Sequence, residues 1–329
     1  MMKRLLIALL ATVVASNALA SVYSTTVSND HPVHWYRLGE SSGTVANDNG
    51  SSAVAGDYAG GFTLAQTGIT GALPNTAVTF NGTTGAVSTN GSTGAFLPTA
   101  VSTAGWTFEA WGKTTLNATT QAIAGNNNTH GGWVVGFHST NKFFFNTDQG
   151  GTSPCGTSTY GTTGTVGSWS TGNYYHVVAT SIGAGSNTLT NMKIYVNGTL
   201  LATITSFTGT LCAGTEDVVT LAERAGGLFM TGTIDEAAFY QDAGGGAGAL
   251  TQTQVTAHYN AGISTSGSGV WPFLTKRPEI PGFINNDYFE QAVSRGYNTG
   301  HLTSREIHPQ ILSVGWPNFA VMPWGNVGH

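Results

Sequence analysis

The sequence predicts an all-β fold, an antiparallel β-sandwich with one short terminal helix, followed by a C-terminal extension. Three observations carry this. Short apolar runs rich in β-branched and aromatic residues recur from about Asp30 to Gly262, divided by Gly, Asn and Ser. Charged residues are only 8% of the chain, where an average chain has about 25%. Gly is 46 of 329 residues, about twice the usual share of roughly 7%, which suits a chain with many turns rather than a helical enzyme.

The run around which the others are organised is Phe229–Tyr240. Phe229, Ile234, Ala237 and Phe239 are apolar with Thr between them, as in a buried strand. Gly232 suits a bend or a close backbone approach. Asp235 and Glu236 are neighbours within it, and neighbours in a regular strand point to opposite faces. Earlier strands are expected at Val33–Leu38, Ala77–Phe80, Gly85–Ser88, Trp106–Trp111, Ala122–Ala124, Gly132–Phe137 and Lys142–Phe145. In the Trp106 run, Trp106, Phe108 and Ala110 alternate with Thr107, Glu109 and Trp111. A long Gly/Asn/Ser loop holding Asp48 and Asp57 follows the first strand. The polar stretch from Asn146 to Gly172 is too long for a tight hairpin.

Further strands are expected at Tyr174–Ala179, Asn191–Val196, Leu200–Ile204 and Val218–Ala222. Asn81-Gly82 and Asn197-Gly198 each read as a hairpin turn. Leu250–Tyr259 reads as the helix, capped by Thr251 and stopped at Gly262.

Residues 1–20 read as a signal peptide: Lys3-Arg4, an apolar core from Leu5 to Ala15, and a cleavage site at Ala18-Leu19-Ala20. That core is shorter than the roughly 20 apolar residues a membrane span needs. The expected mature chain starts at Ser21, has no membrane span once the signal is removed, and is secreted or held at the cell surface. In that compartment Cys155 and Cys212 favour a disulfide over two free thiols. Closing so long a loop would constrain the unfolded chain by about 4 kcal/mol. The formal net charge of −5 leaves no basic footprint for nucleic acid.

Five motifs occur in order: Trp35-Tyr-Arg-Leu-Gly-Glu40, Trp106-Thr-Phe-Glu-Ala-Trp111, Lys193-Ile-Tyr-Val-Asn-Gly198, Gly232-Thr-Ile-Asp-Glu236 and His258-Tyr-Asn-Ala-Gly262. Together they resemble the laminin-G-like group of the concanavalin A-like lectin/glucanase superfamily, over roughly residues 30–263. The resemblance implies a jelly-roll β-sandwich whose members mostly bind glycans or proteins, often with calcium. Glycan-cleaving members place carboxylates at alternating positions on one concave face. Here neither Asp235 nor Glu236 has an acidic partner at i+2 or i+4, and Glu109 sits in a run that fits a structural strand. The Gly-x-Ser-x-Gly and His-Glu-x-x-His motifs are absent. His176 and His258 read as packing residues.

The reading is therefore a non-catalytic recognition module for a glycan or protein. The alternative is a structural surface, envelope or virion-associated protein that uses the sandwich for protein contacts; a glycan hydrolase is a more distant second alternative. Loop aromatics and amides that could meet a sugar are Trp133, Trp169, Tyr160, Asn127 and His130, although Val134-Val135 give Trp133 a core setting. Hard cations take several oxygen ligands, so Asp48 and Asp57 with Asp235 or Glu236 are candidate calcium ligands; turn capping explains the first two equally well. The jelly-roll domain covers 21–263. Ser264–Gly269 reads as a flexible linker. Residues 270–329, bearing Pro, His and aromatics, read as a tail for attachment to an assembly partner.

Overall fold

The computed structural model describes residues 21–91, 96, 105–126, 132–148, 160–183, 189–204, 218–224, 227–241 and 248–264. Among these residues the strands form two antiparallel sheets of eight each, consistent with a jelly-roll sandwich. The first sheet is built around β16 (Thr231–Gln241). On one side β16 pairs with β7 (Trp106–Thr114), and the sheet continues through β12 (Tyr175–Gly183), β13 (Leu189–Val196) and β14 (Thr199–Ile204). On its other side it pairs first with β5 (Thr76–Asn81), which carries β4 (Phe62–Thr67), and then with β1 (His34–Tyr36). The second sheet runs β11 (Tyr160–Thr162), β10 (Lys142–Asp148), β9 (Gly132–His138), β8 (Gln121–Gly125), β15 (Thr220–Leu221), β6 (Ala86–Ser88), β3 (Gly56–Ala59) and β2 (Val45–Ala46).

Alternation along β7 builds two cores. Trp106, Phe108 and Ala110 point between the sheets, where they meet Trp133, Val135 and Phe137 of β9 and Phe143 and Phe145 of β10. Trp106 meets Trp133 edge-on at 4.9 Å between ring centres, and Phe108 lies 5.0 Å from Phe239. Each such buried side chain contributes about 1.5–3 kcal/mol. Trp111 faces the other way, with Val178, Tyr195, Ala238 and Tyr240, and this face has its own cover.

The cover is α1 (Val22–Asn29), a 3-10 turn at Thr70–Ala72, and α2 (Gln252–Ile263). The sequence gives little hint of α1, because Val, Ser and Thr are weak helix formers. It is helical because Ser21 Oγ accepts the Ser24 N–H at 3.0 Å and because Tyr23 and Val27, one turn apart, are buried on the sheet. In α2 the expected cap is present: Thr251 and Gln254 form a reciprocal capping box. Gly262, expected to stop the helix, lies inside it. A Cβ there would come within 2.1 Å of the Trp111 ring, so glycine permits the helix to lie close on the sheet.

Asn197-Gly198 turns between β13 and β14 with φ of +50° and +76°, as a hairpin of this type requires. Asn81-Gly82 does not make the expected hairpin. β5 belongs to the first sheet and β6 to the second, and Asn81 Oδ1 organises the crossing by accepting N–H groups from Thr83, Thr84 and Gly85 at 3.0, 3.0 and 3.1 Å. The Gly/Asn/Ser stretch after β1 holds β2, β3 and β4 rather than one long loop.

Candidate functional site

The Asp235-Glu236 pair departs from the strand rule. β16 carries a bulge there: Asp235 pairs with Trp111 and Ala238 with Glu109, so two residues of β16 oppose one of β7. Glu236 takes φ of +54°, and both carboxylates reach Asn75 on the covered face of the sheet. The expectation of opposite faces is thus corrected by the bulge. The pair sits where β5 and β1 part along the edge of β16, and side chains fill the gap. Arg37 clamps Glu236 through Nε and Nη2, at 3.1 and 2.9 Å from Oε1. Asn75 donates to Glu236 at 3.1 Å, and the Ile69 N–H donates to Asp235 at 2.8 Å. Both acids are fully buried. Burial and the neighbouring Glu236 charge push Asp235 well above the usual carboxylate range, and burial outweighs Arg37 to raise Glu236 to about 7.

A second buried cluster lies under the helices. Glu109 accepts from His176 Nε2 at 3.0 Å, from His258 Nδ1 at 2.9 Å, and from the Tyr240 hydroxyl. The other nitrogen of His258 meets Asp30 Oδ2 at 2.8 Å. Burial alone would raise Glu109, but the His258 charge and the two imidazole hydrogen bonds hold it far below the carboxylate range. For His258 the two carboxylates overcome burial and push it up to about 10. Burial keeps His176 neutral, its pKa lowered, and its Nδ1 has no hydrogen-bond partner. Glu109, His176 and His258 are packing residues as expected, and they are also a linked set. The sequence shows only their types; the helix that brings His258 over β7 is what joins them.

The remaining candidates are dispersed. Asp48 has both oxygens occupied: Oδ2 by His34 Nδ1 and the Val54 N–H, each at 2.7 Å, and Oδ1 by the Trp35 and Gly50 N–H groups at 2.7 and 2.8 Å. Those donors outweigh burial and lower its pKa. Asp57, exposed on β3, accepts from Asn90 Nδ2 at 2.8 Å. Neither Asp48 nor Asp57 is drawn to the Asp235-Glu236 pair, and among the described residues no group of three or more His, Cys, Asp or Glu is arranged to hold a metal. Trp133 is in the inter-sheet core and donates Nε1 to the Phe96 carbonyl at 3.0 Å. Trp169 is buried too, edge-on to Phe137, with Nε1 on the Lys142 carbonyl at 3.0 Å. Tyr160 begins β11, opposite Asp148. Asn127, His130, Cys155 and Cys212, the signal peptide and everything beyond residue 264 lie outside the described residues.

Among the described residues, an open groove of about 260 Å³ lies on the outer face of the second sheet. Since Trp133, Val135, Phe143 and Phe145 face inward, Val134 and Phe144 face outward and form its floor with Leu228. Phe144 is only 4% exposed, so it closes the bottom rather than offering a platform. The rim is polar: Thr120, His138, Asn146, Thr162 and Arg224. No motif announces these residues, because they come from three strands and the connections around them; the alternation in β9 and β10 is the one sequence signal that marks an outward face.

A laminin-G model described as "Concanavalin A-like lectin/glucanases superfamily" matches residues 81–255, more than half of the chain. The chain belongs to that superfamily. Within the concanavalin A-like region the match spans β16, the Glu109 strand and the whole groove-bearing sheet from β6 onward. No curated protein matches the chain. Among solved structures, domain 4 of AbnA, a GH43 extracellular arabinanase from Geobacillus stearothermophilus, in complex with arabinotriose, is 17% identical. It covers 69% of this chain and 98% of that one, with a TM-score of 0.42. Trypanosoma rangeli sialidase in complex with the inhibitor DANA is 15% identical over 69% of this chain and 32% of its own, with a TM-score of 0.45. A structure titled for the dependence of botulinum neurotoxin type C cell entry on two ganglioside molecules is 14% identical over 72% of this chain and 53% of its own, at 0.45. This chain therefore spans a minor part of the sialidase and about half of the toxin chain. Among the described residues no helix is long and apolar enough to cross a membrane.

Proposed function

We propose that this chain is an exported, non-catalytic recognition module that binds carbohydrate in the groove on the outer face of its second sheet. One observation carries the reading. The buried acid clusters, Asp235-Glu236 and Glu109, are sealed at 0% exposure under the helical cover, whereas the polar, accessible concavity lies on the opposite sheet and has no carboxylate in its described lining. Glycoside hydrolysis needs two carboxylates facing a substrate across an open site, and these acids face Arg37, Asn75 and imidazoles instead. Hydroxyl, amide and imidazole groups around a small apolar floor suit a sugar ring.

A glycan array probed with the purified chain, with and without a chelator, tests this. Reproducible saccharide binding, lost when His138 and Asn146 are both replaced by Ala, supports it, and the chelator arm shows whether calcium takes part. Absence of any saccharide binding overturns it and favours the reading in which the sandwich serves protein contacts. Polysaccharide turnover that disappears in Glu236→Gln overturns the non-catalytic part.

A further inference from the structure

Resting on that saccharide reading, we propose that the groove recognises a sugar unit by a projecting methyl group, that of an N-acetyl substituent or of a 6-deoxy carbon, seated on the apolar floor. A ring face laid flat needs an open apolar plane of its own breadth, and the described lining holds none. Val134 and Phe144 show only 3% and 4% of their surface, and Ala122, packed with them, shows none. His138 stands edge-on to Phe144, with 6.1 Å between ring centres and 80° between planes, and so forms a wall rather than a platform. What a ligand can reach is the spot where Val134, Phe144 and the half-buried Leu228 meet. A spot of that kind suits a methyl group, whose burial is favourable and asks for no hydrogen-bond partner.

The backbone at Leu228 is a second observation. Leu228 holds φ of +51°, a left-handed conformation that is costly for a bulky side chain. Pairing on both sides keeps it there. The Leu228 carbonyl accepts the Ala122 N–H at 2.8 Å, and two residues on, the Met230 N–H donates to the Ala222 carbonyl at 2.8 Å. Just before it, Arg224 and Gly227 exchange N–H···O bonds at 2.9 Å each. The chain is thus turned to set an apolar side chain against Ala122, Val134 and Phe144 at a groove whose rim is polar. Strained residues persist where their surroundings over-determine them, and they cluster at ligand sites. The rim itself does not discriminate: the Thr120, Thr162 and Thr165 hydroxyls and the Asn146 amide offer both protons and lone pairs. Ring hydroxyls and an acetamide satisfy such groups equally well, which leaves the methyl as the selective feature.

The test is titration of the full chain with two pairs of glycosides that differ at one methyl group. Methyl β-glycosides of N-acetylglucosamine and N-formylglucosamine form the first pair, methyl α-L-fucoside and methyl α-L-galactoside the second. In at least one pair the methyl-bearing member should bind about fourfold or more tightly, the factor for burying one such group, and which pair does so identifies the source of the methyl. Leu228→Asn places a residue at home at positive φ while removing the apolar wall, and Val134→Thr keeps the shape but puts a hydroxyl on the floor. Each should erase the preference in a protein whose far-UV circular dichroism is unchanged. Saturation transfer on the unaltered chain needs no variant: the methyl protons should receive more saturation than any ring proton, and ring protons in the lead refute the methyl seat. Equal binding within both pairs refutes methyl recognition while leaving the saccharide reading intact. A methyl preference that both variants leave unchanged refutes this floor as its seat, and failure to bind any saccharide, here and on the array, overturns both readings.

Discussion

Glu109→Ala should cost the fold about 4–6 kcal/mol. The residue is fully buried and takes three donors: His176 Nε2, His258 Nδ1 and the Tyr240 hydroxyl. Removing one partner of a buried ion pair costs about 3–5 kcal/mol, and each buried donor left without an acceptor adds about 1–3 kcal/mol. His258 keeps Asp30 at 2.8 Å, so these contributions overlap and fall short of their sum. The loss is still a large part of a domain's usual 5–15 kcal/mol. Urea unfolding followed by tryptophan fluorescence measures it, since Trp111 stacks on His176 at 4.9 Å. Glu109→Gln, which keeps the volume and one acceptor oxygen, should lose roughly half as much.

The gap between wild type and Glu109→Ala should depend on pH. Glu109 is held far below its ordinary 4.5 in the fold, so its contribution is complete above that value and is lost as pH falls below it. His258 is raised from 6.5 to about 10, so its contribution is complete below 6.5 and is lost as pH rises from 6.5 to 10. The gap should be widest between about pH 5 and 6.5 and narrow on both sides. A loss below about 1.5 kcal/mol, or a gap that ignores pH, would refute the charged cluster.

Three further outcomes are expected. Burial and the Glu236 charge raise the Asp235 pKa well above 3.8; the stability linked to its proton is complete below 3.8 and is lost as pH rises from 3.8 through the folded value. Asp235→Asn should therefore match the wild-type melting temperature near pH 3.8 and exceed it increasingly as pH rises toward neutrality; a difference that does not change with pH sinks the idea. Gly232→Ala places a Cβ 2.0 Å from the Lys113 carbonyl oxygen and should destabilise by about 1–3 kcal/mol, read by thermal unfolding; no change would mean that β16 and β7 are less closely paired. Thr251→Ala removes the capping box of α2 and should cost about 1 kcal/mol in urea unfolding, with no effect on saccharide binding.

Much of the fold was legible because strand alternation is local. Trp106, Phe108 and Ala110 could be separated from Thr107, Glu109 and Trp111 by period alone, and Thr251 and Asn197-Gly198 marked their helix and turn through chemistry within a few residues. What failed depends on distant neighbours. The bulge at Glu236 is set by the register of β16 against β7, and no residue type signals it. Asn81-Gly82 has the composition of a hairpin, but its flanking strands are claimed by different sheets. α1 is a helix through what it covers, not through propensity. The groove was illegible for the same reason: its floor and rim come from segments far apart in the sequence that only the second sheet brings together.

The Asp30–His258 contact has a consequence for where the two ends of the domain lie. It ties the stretch that enters the domain to the helix that leaves it, as termini of one domain often lie together. Both ends belong to the helical side, and the groove opens on the far sheet. The chain thus enters and leaves this domain on the face opposite the groove.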